Sequence, residues 1–139
     1  MIDLDFKVLK LIYRSEKPLK IGKISKLLDI PHQTLNSCIG RLKEQGLVNW
    51  KAYYDVLLTE KGYTLANEII RHAQLMEILL YEELGLTVEE AHTESEKFNL
   101  LFDCNTINKI CEKYGHPKKS PCGEIILNSC GCFCRENFN

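Results

Sequence analysis

Apolar positions in the first third of the chain recur at helical spacing in three short bursts, then alternate briefly, then resume as one long helical stripe. Phe6, Leu9, Ile12 and Tyr13 mark a first helix, ended at Lys17-Pro18 because the residue before a proline is pushed out of helical geometry. Ile21, Ile24, Leu27 and Leu28 mark a short second helix. Asp29-Ile30-Pro31 forms a turn, with Pro31 at the first position of a third helix, where its missing N–H costs nothing. The third helix runs to about Gln45 on an apolar face of Leu35, Cys38, Ile39 and Leu42, and Gly46 follows where a left-handed cap is wanted. Residues 47–51 and 55–59 read as two strands joined by Ala52-Tyr53-Tyr54.

Beyond Thr59, the stripe Leu65, Ile69, Ile70, Ala73, Met76, Leu79 and Leu80 predicts one helix of roughly 25 residues ending at Gly85. Thr87-Val88-Glu89-Glu90 matches a capping box and starts another helix, and a further one covers 104–114 before Gly115-His116-Pro117 stops it. The expected fold is mainly α with a small β-hairpin wing: a winged helix-turn-helix over 1–64, a helical dimerisation region over 65–118, and a cysteine-rich tail over 119–139. Long helices with apolar stripes on a small protein commonly pair, and a homodimer suits a two-fold operator.

The polar face of the third helix presents Gln33, Thr34, Asn36, Ser37, Gly40 and Arg41, with no carboxylate before Glu44. A carboxylate there would repel phosphate, whereas amides, hydroxyls and a guanidinium donate to backbone oxygens or read base edges in a major groove. Preceded by a short helix and tight turn, this is the pattern of a recognition helix for double-stranded DNA. Lys51 and Tyr54, with Tyr53, stand at the wing tip within reach of a phosphate or the minor groove. Cys38 lies on the buried stripe and reads as a small core residue.

Length and charge sharpen this reading. The 139 residues, 45% of them apolar, suit one compact domain or two small ones. No apolar run reaches the roughly 18 residues of a membrane span, and charges in residues 1–10 stand where a signal peptide needs an apolar stretch, so a cytoplasmic protein with reduced thiols is expected. Residues 1–64 hold 11 Lys/Arg against 7 Asp/Glu, while 65–139 hold 7 against 12, a basic half suited to phosphates and an acidic half suited to a metal or partner. No phosphate loop and no nucleophile paired with a base at a known spacing is visible, so an enzyme is not expected.

Six of the seven cysteines fall at 104, 111, 122, 130, 132 and 134. Cys122, Cys130, Cys132 and Cys134 supply four thiolates, enough for tetrahedral zinc or an iron–sulfur cluster. In an extended segment, residues two apart point to one side, so the alternating trio can face a common centre, with Gly131 letting the chain bend. Structural zinc sites favour cysteines two to four residues apart, so the spacing favours a cluster over zinc. Cys104 and Cys111, seven apart on a helix, share a face and could complete the set. His116, in a turn beside Pro117, reads as solvent-exposed.

Several strings resemble one family in order and spacing: Thr34-Leu35-Asn36-Ser37, Arg41-Leu42-Lys43-Glu44-Gln45-Gly46-Leu47-Val48, Leu58-Thr59-Glu60-Lys61-Gly62, Arg71-His72, and Leu84-Gly85-Leu86-Thr87. The chain resembles, over about residues 4–126, the diphtheria-toxin-repressor family of metal-dependent transcriptional repressors. Ser120-Pro121-Cys122-Gly123-Glu124-Ile125-Ile126 is similar to that family's Pro-x-Gly-x-Pro-Ile segment. The resemblance implies a winged helix, a dimerisation region, and Fe(II) or Mn(II) as co-repressor. This chain departs from the family at the metal site. Lys7 and Lys10 stand where the first helix should carry a ligand, and the positions of the family's later ligands fall on Glu96, Asn99 and Leu100, of which only Glu96 can coordinate. His72, Glu77 and His92 match the family's ancillary site.

Three readings follow. The first is a homodimeric DNA-binding regulator, a repressor by type, sensing iron or redox state through a thiolate-bound iron–sulfur cluster, or zinc, in the tail. The second is an Fe(II)- or Mn(II)-dependent repressor using His72, Glu77, His92 and Glu96. The third is a redox accessory protein that docks a protein through its winged helix.

Overall fold

The computed structural model describes residues 1–100 and 102–129 and comprises two compact units, Met1–Ala66 and a second that begins at Asn67. In the first unit, α1 (Asp3–Arg14), α2 (Ile21–Leu28) and α3 (His32–Glu44) are followed by β1 (Val48–Asn49) and β2 (Leu57–Leu58). α3 packs on α1 and α2, and Leu9, Ile24, Leu35, Ile39, Leu42 and Leu47 are fully buried. The whole predicted face of α3 is buried, as a 3.6-residue period requires, whereas of the stripes predicted for α1 and α2 only Leu9 and Ile24 are buried and Leu27 is exposed.

The turn between α2 and α3 closes on Asp29, left-handed at φ 52°, and on Ser25, whose hydroxyl donates to the Ile30 carbonyl at 2.6 Å. Pro31 is the N-cap of α3, not its first helical residue: its ψ of 147° is still extended, and the helix begins at His32. Gly46 has φ 74°, the left-handed cap that its position predicts. The wing strands are shorter than expected. Only Val48↔Leu58 and Asn49↔Leu57 pair, antiparallel, because Val56 turns its N–H to the Leu19 carbonyl at 2.8 Å instead.

Thr59 starts the next helix by capping it. Its hydroxyl accepts from Gly62 N–H at 3.0 Å and donates to the Gly46 carbonyl at 2.6 Å, tying the helix to the wing. Gly62 is required here for a different reason. A Cβ on it would lie 1.9 Å from the Leu47 carbonyl oxygen, a backbone atom that cannot swing aside.

Helix α4 (Glu60–Leu84) is 25 residues long and carries the chain into the second unit. There α5 (Val88–Ser95) opens with the capping box read from the sequence: Glu90 N–H donates to Thr87 Oγ1 and Thr87 N–H to Glu90 Oε1, both at 3.1 Å. Helix α6 (Cys104–Lys113) starts on Asp103, which accepts from Thr106 N–H at 2.8 Å. Leu75, Met76, Ile78, Ile107, Ile110, Cys111 and Ile126 form the core of this unit.

Residues 118–127 do not stand apart as a tail. They fold into a small loop bridged at Lys119↔Ile125, and α4 holds it through two side chains. Gln74 donates to Glu124 Oε1 at 2.7 Å and to the Ile125 carbonyl at 2.8 Å while accepting from Leu127 N–H at 2.9 Å. Arg71 donates to the Leu127 carbonyl at 3.0 Å. Among the described residues, no helix is long and apolar enough to cross a membrane.

Candidate metal centre and nucleic-acid face

On α3, Gln33, Thr34, Asn36, Ser37 and Gly40 are all exposed, and Leu35, Cys38, Ile39 and Leu42 are all buried. The helix therefore presents one continuous polar face free of carboxylates. Arg41 is not available on that face as a free cation. Its guanidinium clamps Asp5 of α1, with Nη2 2.8 Å from Oδ1 and Nε 3.3 Å from Oδ2. Burial would raise the Asp5 pKa, but the bonds from Arg41, Cys38 and the Ile2 backbone outweigh it and hold the carboxyl below its ordinary value. Cys38 is fully buried, and burial together with the neighbouring Asp5 charge pushes its thiol up to about 12, so it is an inert core group.

Lys51, Tyr53 and Tyr54 are exposed at the wing tip, Tyr53 at 93% with a left-handed φ of 71°. Lys43 and Trp50 join Lys51 and Tyr54 around an open groove of about 490 Å³ beneath the wing, and Lys43 Nζ donates to the Trp50 carbonyl at 3.2 Å. The sequence reading passed over both. Lys43 was legible as the cation one turn beyond the polar face, while Trp50 gave no signal beyond its place in a strand.

Among the described residues, the second unit gathers two groups of potential metal-ligand atoms, each consisting of one glutamate, one histidine and one cysteine. Glu68, His72 and Cys104 form the first, and Glu77, His92 and Cys122 the second; within each, the donor atoms all lie within 4.8 Å of one another. Expectation and structure differ on how these residues are grouped. His72, Glu77, His92 and Glu96 do not form one site, because five residues along a helix rotate a side chain by roughly 140°, which turns His72 and Glu77 apart. Glu96 closes α5 as its C-cap and belongs to neither group.

In the Glu77 group, the carboxylate is 2% exposed and both oxygens are engaged: Oε1 lies 2.9 Å from His92 Nδ1, and Oε2 accepts from the Cys122 backbone N–H at 3.0 Å. The loop held by Arg71 and Gln74 is what brings Cys122 there. Its Sγ lies 3.2 Å from Ser120 Oγ and is exposed, so this group opens to solvent.

In the Glu68 group, His72 Nε2 lies 3.8 Å from both Glu68 Oε1 and Cys104 Sγ, and Cys104 is in hydrogen-bond contact with Glu68. Glu68 and His72 are 3% and 2% exposed. Burial holds the His72 imidazole below its ordinary value, opposed by the charge of Glu68. Glu68 was absent from the sequence reading, though its spacing four residues before His72 places both on one helix face, which is a legible ligand pair.

Cys104 and Cys111 do share a face of α6, but seven residues of helix separate them by about 10 Å, too far for one ion. Cys111 is a core residue whose Sγ lies 3.4 Å from Nδ1 of the exposed His116. Cys130, Cys132 and Cys134 lie outside the described residues. A set of four thiolates centred on Cys122 is therefore not described, and Cys122 itself faces a carboxylate and an imidazole.

Comparison with known proteins agrees with this architecture. Residues 59–128 match the model of the iron-dependent repressor metal binding and dimerisation domain. The chain is 28% identical over 130 residues to the iron-dependent repressor IdeR of Mycobacterium tuberculosis, covering 91% of this chain and 56% of that protein's length. A manganese-dependent transcriptional repressor crystallised with manganese superposes with a TM-score of 0.79 at 27% identity, over 91% of this chain and 60% of that one. A hypothetical protein of Sulfolobus solfataricus superposes at 0.71 with 28% identity, over 91% of this chain and 96% of its own.

Proposed function

Because the chain belongs to the iron-dependent repressor family, we propose that it is a homodimeric winged-helix transcriptional repressor whose hold on double-stranded DNA responds to a divalent metal ion. The observation that carries this reading is the Glu77 group: a buried carboxylate, an imidazole and a cysteine brought together from α4, α5 and the 118–127 loop in the unit matching the family's metal-binding domain. The chemistry of these donors fits a first-row divalent cation. Glu77, His92 and Cys122 would hold it, and the bound ion would supply the positive charge that joins α4, α5 and the loop. Tying three elements at one point favours one arrangement of the dimerisation region, and DNA affinity changes to the extent that the two arrangements differ in it.

Gln33, Thr34, Asn36 and Ser37 are the base- and phosphate-reading side chains in this proposal, with Lys51 and Tyr54 on the wing. Arg41 acts chiefly by fixing α3 against α1 through Asp5. The sulfur in the donor set favours Fe(II) or Zn(II) over Mn(II), which prefers oxygen ligands.

Selection from a random duplex library with Zn(II), Fe(II), Mn(II) or chelator tests the reading. Metal should enrich a two-fold sequence, and Glu77→Gln or Cys122→Ser should abolish that enrichment while leaving salt-sensitive non-specific binding in place. Failure to enrich any duplex under all four conditions overturns it. Acid-labile sulfide in anaerobically purified protein, lost on replacing Cys130, Cys132 and Cys134 by serine, would instead restore an iron–sulfur cluster as the sensor.

A further inference from the structure

We propose that Glu68, His72 and Cys104 form a second metal site, separate from the Glu77 group, that takes a thiophilic divalent cation of the zinc type and pins α6 to α4. This goes beyond the repressor reading and stands whether or not the Glu77 group binds a metal.

The first support is distance. Zinc bonds of about 2.0–2.3 Å to N, O and S ligands at the tetrahedral angle put ligand atoms about 3.3–3.8 Å apart. His72 Nε2 already lies 3.8 Å from Glu68 Oε1 and 3.8 Å from Cys104 Sγ. The contact between Cys104 and Glu68 would open to admit the ion.

The second is the state of the imidazole. His72 is 2% exposed, and among the described residues its Nδ1 has no hydrogen-bond partner. Its Nε2 faces the carboxylate at 3.8 Å, too long for an ordinary hydrogen bond, and has the Cys104 sulfur, also at 3.8 Å, as a weak partner. Burying a polar ring so poorly satisfied is unfavourable. A coordinate bond at Nε2 offsets that cost and gives the nitrogen a reason to face this centre.

The third is how the elements present the ligands. Glu68 and His72 are four apart on α4 and share a face, and Cys104 is the first residue of α6, set in place by the Asp103 cap. Cys104 is partly exposed, which leaves an entry path and room for a fourth, solvent ligand. One sulfur, one imidazole nitrogen and one carboxylate suit Zn(II) and Co(II), whereas Mn(II), lowest in the affinity series and drawn to oxygen, is disfavoured.

Anaerobic titration of the full chain carrying Cys130→Ser, Cys132→Ser and Cys134→Ser with Co(II) counts the sites without tail thiols. Sulfur-to-cobalt charge-transfer absorbance should persist after Cys122→Ser and vanish when Cys104→Ser is added. In the native sequence, Zn(II) should slow iodoacetamide alkylation of Cys104, followed by peptide mass spectrometry, by at least roughly tenfold through loss of the free thiolate, and Mn(II) at equal concentration should not. Alkylation needs no substitution, so the proposal is testable even where the Cys104 variant fails to fold. An unchanged alkylation rate with Zn(II), or charge-transfer absorbance that survives loss of Cys104 and Cys122 together, overturns the site; equal protection by Mn(II) overturns its selectivity.

Discussion

In the first unit the buried ionisable or polar side chains are Asp5, Lys10 and Ser25, among a much larger set of aliphatic residues from α1, α2 and α3. In the second, α4 alone buries Asn67, Glu68, His72, Gln74 and Glu77. An aliphatic core needs nothing beyond the chain to be stable, whereas buried carboxylates and imidazoles are favourable only when something satisfies them. Within the second unit, Gln74 is satisfied by the 118–127 loop. Glu77 is satisfied by His92 and the Cys122 backbone N–H, and Glu68 and His72 gather with Cys104. The contrast is between one unit with an almost wholly aliphatic core and another that buries ionisable groups, which the proposed metal binding would stabilise.

The sharpest way to break the contrast is Gly62→Ala. Its methyl would collide with the Leu47 carbonyl, so it should destabilise the winged-helix unit by about 3 kcal/mol or more, read as a lowered melting temperature with or without metal. Metal removal should act on the other unit. Saturating Zn(II) at about a hundred times its dissociation constant should add about 2.7 kcal/mol, lost on chelation, with hydrogen exchange slowing in α4 and α6 but not in α3. An equal effect in both units would erase the distinction.

A smaller, pH-dependent effect belongs to the first unit. Asp5 has a depressed pKa in the folded state, so its contribution to stability is complete above the ordinary carboxylate value of about 4 and is lost as pH falls through the lower folded value. Asp5→Asn should therefore flatten the acid limb of a stability-against-pH curve and leave α3 less firmly held at neutral pH. Smallest of all, Thr87→Ala removes the cap of α5 and should cost about 1 kcal/mol, measured by denaturant titration, with weaker metal binding as His92 loosens.

Much of this architecture is legible in the sequence. The period of Leu65 to Leu80 predicted the 25-residue helix, Thr87 and Glu90 predicted their reciprocal bonds, and Gly46 predicted a left-handed cap. These features are local: a cap or an apolar stripe is decided by residues within about one turn of each other. The shortened wing was not legible, since Val56 bonds to Leu19, far away in the chain.

By itself, then, the sequence determined the helices, the buried and polar faces of α3 and the presence of ligand-type residues in the second half. Only the tertiary structure decided which of those ligands meet. It separated His72 from Glu77 by the rotation of one helix, brought Glu68 together with His72 and Cys104, and used Gln74 and Arg71 to lay Cys122 beside Glu77. It also spent Arg41 on Asp5. The reason is physical: helix periodicity is written within a few residues, but a ligand set joins side chains tens of positions apart, and their meeting depends on how whole elements pack.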